Sequence, residues 1–183
     1  ARALAVRPSV RLDDGEVDRL CRTLDALPLA IELAAARVRT LTVEEINTRL
    51  VDRFTPLRSG DRTSPERHRT LRAVIDWSWN LLEDPERAAL RRLCRFPGGF
   101  TADAAEPVAQ WGEIVDVADA LEGLVNQSML SVTEIPDRAG LRYHMLETVR
   151  EFGEEQSDAA EAAEVLSRTV SWAEEFSREA FGD

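Results

Sequence analysis

The sequence predicts a mainly α fold: a small helical bundle, then a second helical unit carrying one β-hairpin. Three observations lead there. Apolar residues recur at helical spacing through most of the 183 residues. Helix-start chemistry precedes several of these blocks, as in Thr42 with Glu45 and in Asp84-Pro85-Glu86. Only two short runs, Met129–Thr133 and Leu141–Met145, read as strands, and the Pro136–Gly140 turn joins them.

Residues 1–13 have weak periodicity and read as a linker. Asp14 is expected to cap a helix running to about Leu27, with Val17, Leu20, Cys21, Leu24 and Leu27 on one face. Pro28 lies in an apolar, alanine-rich run. A proline at the first helical position loses no hydrogen bond and has its φ already set. The run Leu24–Arg37 therefore reads as helix, tight turn, helix, the second helix reaching about Thr40. Thr42 and Glu45 have capping-box spacing and should open a third helix to about Asp52. Residues 14–58 form the first unit. Pro56, Ser59, Gly60, Ser64 and Pro65 mark 53–66 as the clearest linker.

The second unit is expected over 67–156. Leu71, Val74, Ile75, Ser78 and Leu82 fall at helical spacing, with Trp77 and Trp79 on flanking faces, one of them in the core. Asp84, as a cap before Pro85, opens a helix carrying Ala89, Leu90, Leu93 and Cys94, which stops at Pro97-Gly98-Gly99. Thr101 caps a short helix ending near Pro107, and another helix fits Glu113 to Gln127. After the hairpin, a helix runs from about Leu146 to Gln156. Helices, a hairpin and a further helix, in that order, describe a winged-helix module. A trailing helix over 160–181 has Ala163, Leu166, Val170, Ala173 and Ala180 at near-heptad spacing.

Composition narrows the chemistry. Apolar residues make up 44% and charged residues 31%, as in an ordinary soluble globular chain. No apolar stretch approaches the roughly 18 residues that span a membrane, and a cytoplasmic protein with reduced Cys21 and Cys94 is expected. All 23 basic residues are arginine. Lysine bases, Schiff-base chemistry and a phosphate loop with its lysine are thereby excluded from this segment. His68 and His144 have no metal-ligand spacing with the cysteines, and no Gly-x-Ser-x-Gly occurs. No independent enzyme, and no metal site, is expected. Net charge is −11, concentrated in residues 151–183, where ten acids face two arginines. An acidic chain is a poor match for nucleic acid, whose binding depends on neutralising phosphates.

The segment Leu27-Pro28-Leu29-Ala30 within this run resembles the GLPLA segment of the STAND nucleotide-switch ATPases, which are NB-ARC-like, in the branch of bacterial transcriptional regulators related to AfsR and the large LuxR-type proteins. Further markers are Arg67–Arg72, Trp77-Ser78, Leu93 through Phe100 with Pro97-Gly98-Gly99, and Leu146–Phe152; the likeness covers roughly residues 20–156. It implies that the first unit is the helical lid of an ATPase core, and the second the winged helix that closes over ADP in the inactive form. Pro28, with Leu27, would lie against adenine. Such proteins often carry Met-His-Asp after the wing, the histidine touching phosphate. The best register here is Met145-Leu146-Glu147, so leucine stands in the histidine's place and His144 lies two positions earlier. The implied nucleotide contacts are Pro28, Leu27, His144, Leu146 and Glu147. ADP or ATP is expected in the intact protein, none in this segment alone, because the phosphate loop would be upstream. The implied partners are that upstream nucleotide-binding domain and downstream sensor repeats of the same chain; the parent would be at most a slow ATPase.

Each of these residues has a plainer role as well. Pro28 serves as a helix start without any ligand, and His144 as a strand histidine that is merely solvated or packed. Arg58, Arg62, Arg67, His68, Arg69 and Arg72 form the most basic stretch, which a solvated loop and helix start explain as readily as a phosphate contact. Arg87, Arg91 and Arg95 recur at i+4, either solvated or pairing with acids of a neighbouring domain. In a DNA-reading winged helix the helix before the wing enters the major groove. Here that helix carries Glu113, Asp116, Asp119 and Glu122 and no arginine, and the wing turn has only Arg138 beside Asp137, so DNA contact through it is not expected. The function expected is regulatory: coupling ADP or ATP state to domain packing in a signal-responsive regulator. A protein-interaction scaffold that has lost nucleotide binding, and a DNA-binding winged helix, are the alternatives.

Overall fold

A computed structural model describes residues 13–57, 66–135 and 140–181 of the chain. It divides into two compact units, Ala1–Leu81 and Leu82–Asp183.

In the first unit, α1 (Asp14–Thr23) is capped by Asp13, whose carboxylate accepts the Glu16 N–H at 3.0 Å. Asp13 is thus the helix cap rather than the end of a linker, and residues 1–12 lie outside the described residues. The helix stops at Thr23, short of the Leu27 expected from spacing, because Asp25 and Ala26 take φ of 52° and 54°. The Ala26 N–H closes the turn onto the Cys21 carbonyl at 2.9 Å. α2 (Pro28–Ala36) then begins with proline at its first position and extended Leu27 before it. It tightens into a 3-10 turn over Arg37–Arg39 before Thr40. The Thr42–Glu45 capping box forms in both directions: the Glu45 carboxylate accepts the Thr42 N–H at 2.8 Å, and the Thr42 hydroxyl accepts the Glu45 N–H at 3.2 Å.

α3 (Val43–Leu57) runs five residues beyond Asp52, into the stretch read as a linker; the rest of that stretch, 58–65, lies outside the described residues. α4 (Glu66–Trp79) follows. α1 packs on α3, and α4 packs on both α2 and α3. Leu24, Leu33, Ile46, Leu50, Val74 and Trp77 fill the centre. Trp77 is the core tryptophan and Trp79 is half-buried. α4 therefore falls with the first unit, although spacing groups it with the elements that follow; its apolar face is consumed by α2 and α3.

In the second unit, α5 (Asp84–Leu93) starts one residue earlier than a cap at Asp84 would imply: Glu83 is the cap, and the Glu86 carboxylate accepts the Glu83 N–H at 2.8 Å. α6 (Ala102–Ala109), capped by the Thr101 hydroxyl, continues past Pro107, which sits inside it. α7 is Val117–Asn126. It is shorter than the predicted Glu113–Gln127, because Asp116 caps it by accepting the Ala118 N–H at 2.8 Å. β1 (Ser131–Glu134) and β2 (Leu141–His144) pair antiparallel, with Ser131 opposite His144 and Glu134 opposite Leu141. Residues 136–139 of the expected turn lie outside the described residues. Phe100 adds one bridge to the edge of β2, exchanging two backbone bonds with Tyr143 at 3.0 and 2.8 Å.

α8 (Glu147–Gln156) packs on α5, and α9 (Ala159–Phe181) packs on α6 and α5. The near-heptad stripe of α9 is not its docked face. Leu166 and Val170 are 65% and 49% exposed, and Ala163 and Ala173 are exposed as well. The docked face carries Glu161, Val165 and Trp172, and Trp172 meets Phe96 edge-on at 5.5 Å. The side chain of Ala180 lies outside the described ones. Among the described residues, no helix is long and apolar enough to cross a membrane.

Candidate functional site

The residues singled out by resemblance fall into two groups. Pro28 and Leu27 are in the first unit; His144, Leu146 and Glu147 are consecutive or nearly so in the second. Pro28 is exposed and Leu27 is half-buried. They follow the left-handed pair Asp25-Ala26, which is held from the side by the Thr70 hydroxyl donating to the Asp25 carboxylate at 2.7 Å. The residue at the cap position of α2, Leu27, makes no side-chain capping hydrogen bond. An exposed ring at an uncapped helix start is a flat apolar step suited to stacking; it is equally the geometry of a helix start with no ligand.

His144 ends β2. One ring nitrogen, Nε2, lies 3.0 Å from the Thr133 hydroxyl across the hairpin. Its other side faces Gly99, where an added Cβ would come within 2.8 Å of Nδ1 and 2.5 Å of the Tyr143 carbonyl. Gly99 also has φ +79°. Glycine is thus required twice over at this position. His144 is a packed strand histidine in this arrangement. Leu146 is the residue preceding α8, extended and 52% exposed. Glu147 opens α8 and pairs with Arg150 at 2.7 Å. Arg150 also donates to the Cys94 carbonyl at 2.9 Å, tying α8 to α5.

The surface that a winged helix offers to DNA is α7 and the hairpin. On α7, Ala118, Asp119 and Glu122 face outward, with Asp116 exposed at its start. The helix holds no basic residue. On β2, Arg142 is exposed, and its guanidinium donates to the Gly98 carbonyl at 3.0 and 3.1 Å and to the Gly99 carbonyl at 3.1 Å. Arg138 lies outside the described residues.

A further cluster escaped the sequence reading. Arg92 on α5 is 1% exposed. It donates to Glu161 of α9 at 3.1 Å, to Glu113 at 2.7 Å, and to the carbonyls of Ala109 and Trp111 at 3.0 and 2.6 Å. Arg91, expected on a solvated face or against another domain, binds the same Glu161 at 2.6 and 3.1 Å. Arg87 pairs locally with Asp84. Glu113, read as the first residue of a helix facing DNA, is instead a partner of Arg92 outside α7. Together with backbone hydrogen bonding, that partner holds its carboxyl below the ordinary 4.5. The signal was present: Arg92 lies four residues after buried Ala88 and three after buried Ala89, on the apolar stripe. Among the described residues, no group of three or more metal-ligating side chains comes together.

The element order, the Phe100 bridge and the hairpin define a winged helix-turn-helix domain, and residues 82–158 match the model of that domain. Some of the relatives are named as regulators. The chain is 40% identical over 172 residues to "Putative HTH-type transcriptional regulator Rv0890c" of Mycobacterium tuberculosis, and equally to its Mycobacterium bovis counterpart Mb0914c. It is 42% identical over 158 residues to "Uncharacterized protein Rv0894" of M. tuberculosis. The first two matches cover 91% of this chain and 19% of the relative, the third 83% and 39%. The chain thus spans about a fifth of the length of the named regulators it matches.

Proposed function

We propose that this chain is the regulatory segment of a signal-responsive STAND-type ATPase transcriptional regulator, coupling ADP or ATP state to domain packing without catalysis of its own. Homology to regulators over most of the chain supports the regulatory part. The adenine contact in the intact protein rests on the resemblance of Leu27–Ala30, and the exposure of Pro28 leaves room for it. The His144–Glu147 segment is the second point of approach, with Leu146 where a phosphate-touching histidine is usual.

One observation carries the choice of regulation over DNA reading: the outward residues of α7 are Ala118, Asp119 and Glu122, with Asp116 at its start and no cation among them. Carboxylates against phosphates repel, and they offer no counterion release to drive binding. The wing's Arg142 is held by the Gly98 and Gly99 carbonyls, which fix its position without neutralising its charge, so it is the one described cation of the hairpin. The winged helix works through protein and nucleotide contacts, and DNA is read by another part of the protein. Titrating this chain with labelled duplex at moderate salt is expected to give no binding at micromolar protein; sub-micromolar affinity would favour the DNA reader instead.

Nucleotide affinity is expected only where the phosphates are also held. An adenine edge contributes a few kcal/mol, so this chain alone should bind ADP no more tightly than about millimolar. The exposed Leu146 favours one second reading, a protein-interaction scaffold without nucleotide.

A further inference from the structure

Arg92 is where three parts of the second unit converge. The guanidinium arises from α5. It holds Glu161 of α9, the Ala109 carbonyl at the end of α6, and both Trp111 and Glu113 in the segment leading into α7. The Trp111 ring lies flat over it, 3.5 Å from ring centroid to guanidinium carbon. A shallow groove of about 570 Å³ opens beside the cluster. It is not an anion site: Arg91 and Arg92 already share Glu161, Glu113 takes a second edge of Arg92, and Arg168 pairs with Glu164 at 2.6 Å. No positive charge is left over.

A guanidinium is a rigid planar fork, so it cannot follow one partner without leaving another. Buried, it cannot replace a lost partner with bulk water. If α9 lifts from α5, Glu161 leaves with it, and the remaining bonds to Trp111 and Glu113 lose their fixed geometry. If residues 110–116 shift, the hold on Glu161 weakens in turn.

We propose that Arg92 is a latch that couples the docking of α9 to the position of the segment entering α7, so that the two move as one two-state element. Helix α9 is then the lever by which the winged helix exchanges state with whatever follows it. This use of the latch rests on the regulatory reading above; the coupling itself needs no nucleotide, so either can fail without the other.

The test is amide hydrogen exchange on this chain with Glu113→Ala and, separately, Glu161→Gln. Glu113 is 53% exposed on its side chain, and its replacement leaves the core intact. Glu113→Ala is expected to speed exchange about tenfold at residues 162–169 of α9, on which Glu113 makes no direct bond, as well as at 111–116; α8 stays unchanged. Tenfold is the scale of one lost bond to a charged group. Glu161→Gln is expected to produce the reciprocal pattern. Acceleration confined to the altered residue's own segment, or spread evenly over every helix of the unit, overturns the latch.

Discussion

The guanidinium of Arg92 is stacked on the Trp111 ring at 3.5 Å and 1% exposed, making an arginine one of the largest buried side chains of the winged-helix unit. Burying a charge is costly unless every edge is met, and here the carboxylates of Glu161 and Glu113 and two carbonyls meet it. Arg92→Ala removes the cation and strands Glu161 at 10% exposure, with Arg91 as its remaining partner. The expected cost is about 3 kcal/mol or more, read as a lowered midpoint in urea unfolding of this chain. A loss under about 1 kcal/mol would mean that water replaces the guanidinium freely.

Ala26 sits at φ 54° immediately after Asp25 at 52°. A left-handed alanine costs roughly 1–2 kcal/mol, a strain that glycine, with no Cβ to clash, does not carry. Ala26→Gly should therefore stabilise the first unit by about 1 kcal/mol despite the added chain entropy. Denaturant unfolding of that unit checks it; a destabilised variant would show that the turn is not left-handed in solution.

Glu113 carries a carboxyl held below 4.5 in the folded chain. A carboxyl depressed by folding adds stability above its unfolded value and loses it as pH falls through the folded value. The second unit should weaken on acidification from about pH 4.5 downward. Glu113→Gln should flatten that acid limb while leaving the alkaline side as it is. An identical acid limb in the variant would remove Glu113 from the account.

Cys94 is buried beneath α8, and burial pushes its thiol up to about 11. Cys21 is half-buried. A thiolate is the reactive species, so Cys94 should resist alkylation at pH 8 while Cys21 reacts. Mass spectrometry should show one label on the folded chain and two in urea. Rapid double labelling of the folded chain would contradict the packing of α8 on α5.

Much of the fold was legible because local chemistry and long-range packing agree. Pro28 and the Thr42–Glu45 pair specify helix starts within their own few residues, and the structure has both. Element ends were less legible. α1 stops early because non-glycine residues turn left-handed, and α7 starts late because Asp116, not an earlier residue, finds the free amide. The first has a partner distant in sequence, Thr70 bonding Asp25; the second is a choice among local caps, settled by a bond between residues only two apart. The docked face of α9 was not legible for a related reason. Leu166 and Val170 look more apolar than Glu161, yet Glu161 is the buried one, since Arg91 and Arg92 lie 70 and 69 residues away in sequence. Charge pairing across such separations leaves no periodic trace. The candidate nucleotide contacts were named from resemblance; geometry adds that Pro28 and Leu146 are exposed and that His144 is packed on Gly99 and Thr133.

The most direct measurement is an ADP titration by calorimetry on the full-length protein, wild type beside Pro28→Ala. The nucleotide-switch account predicts tight binding that weakens about tenfold or more in the variant, the scale of one lost stacking contact, with the variant's fold unchanged because alanine also starts a helix well. No binding by either protein, or equal binding by both, would contradict it and leave Pro28 as a helix start alone.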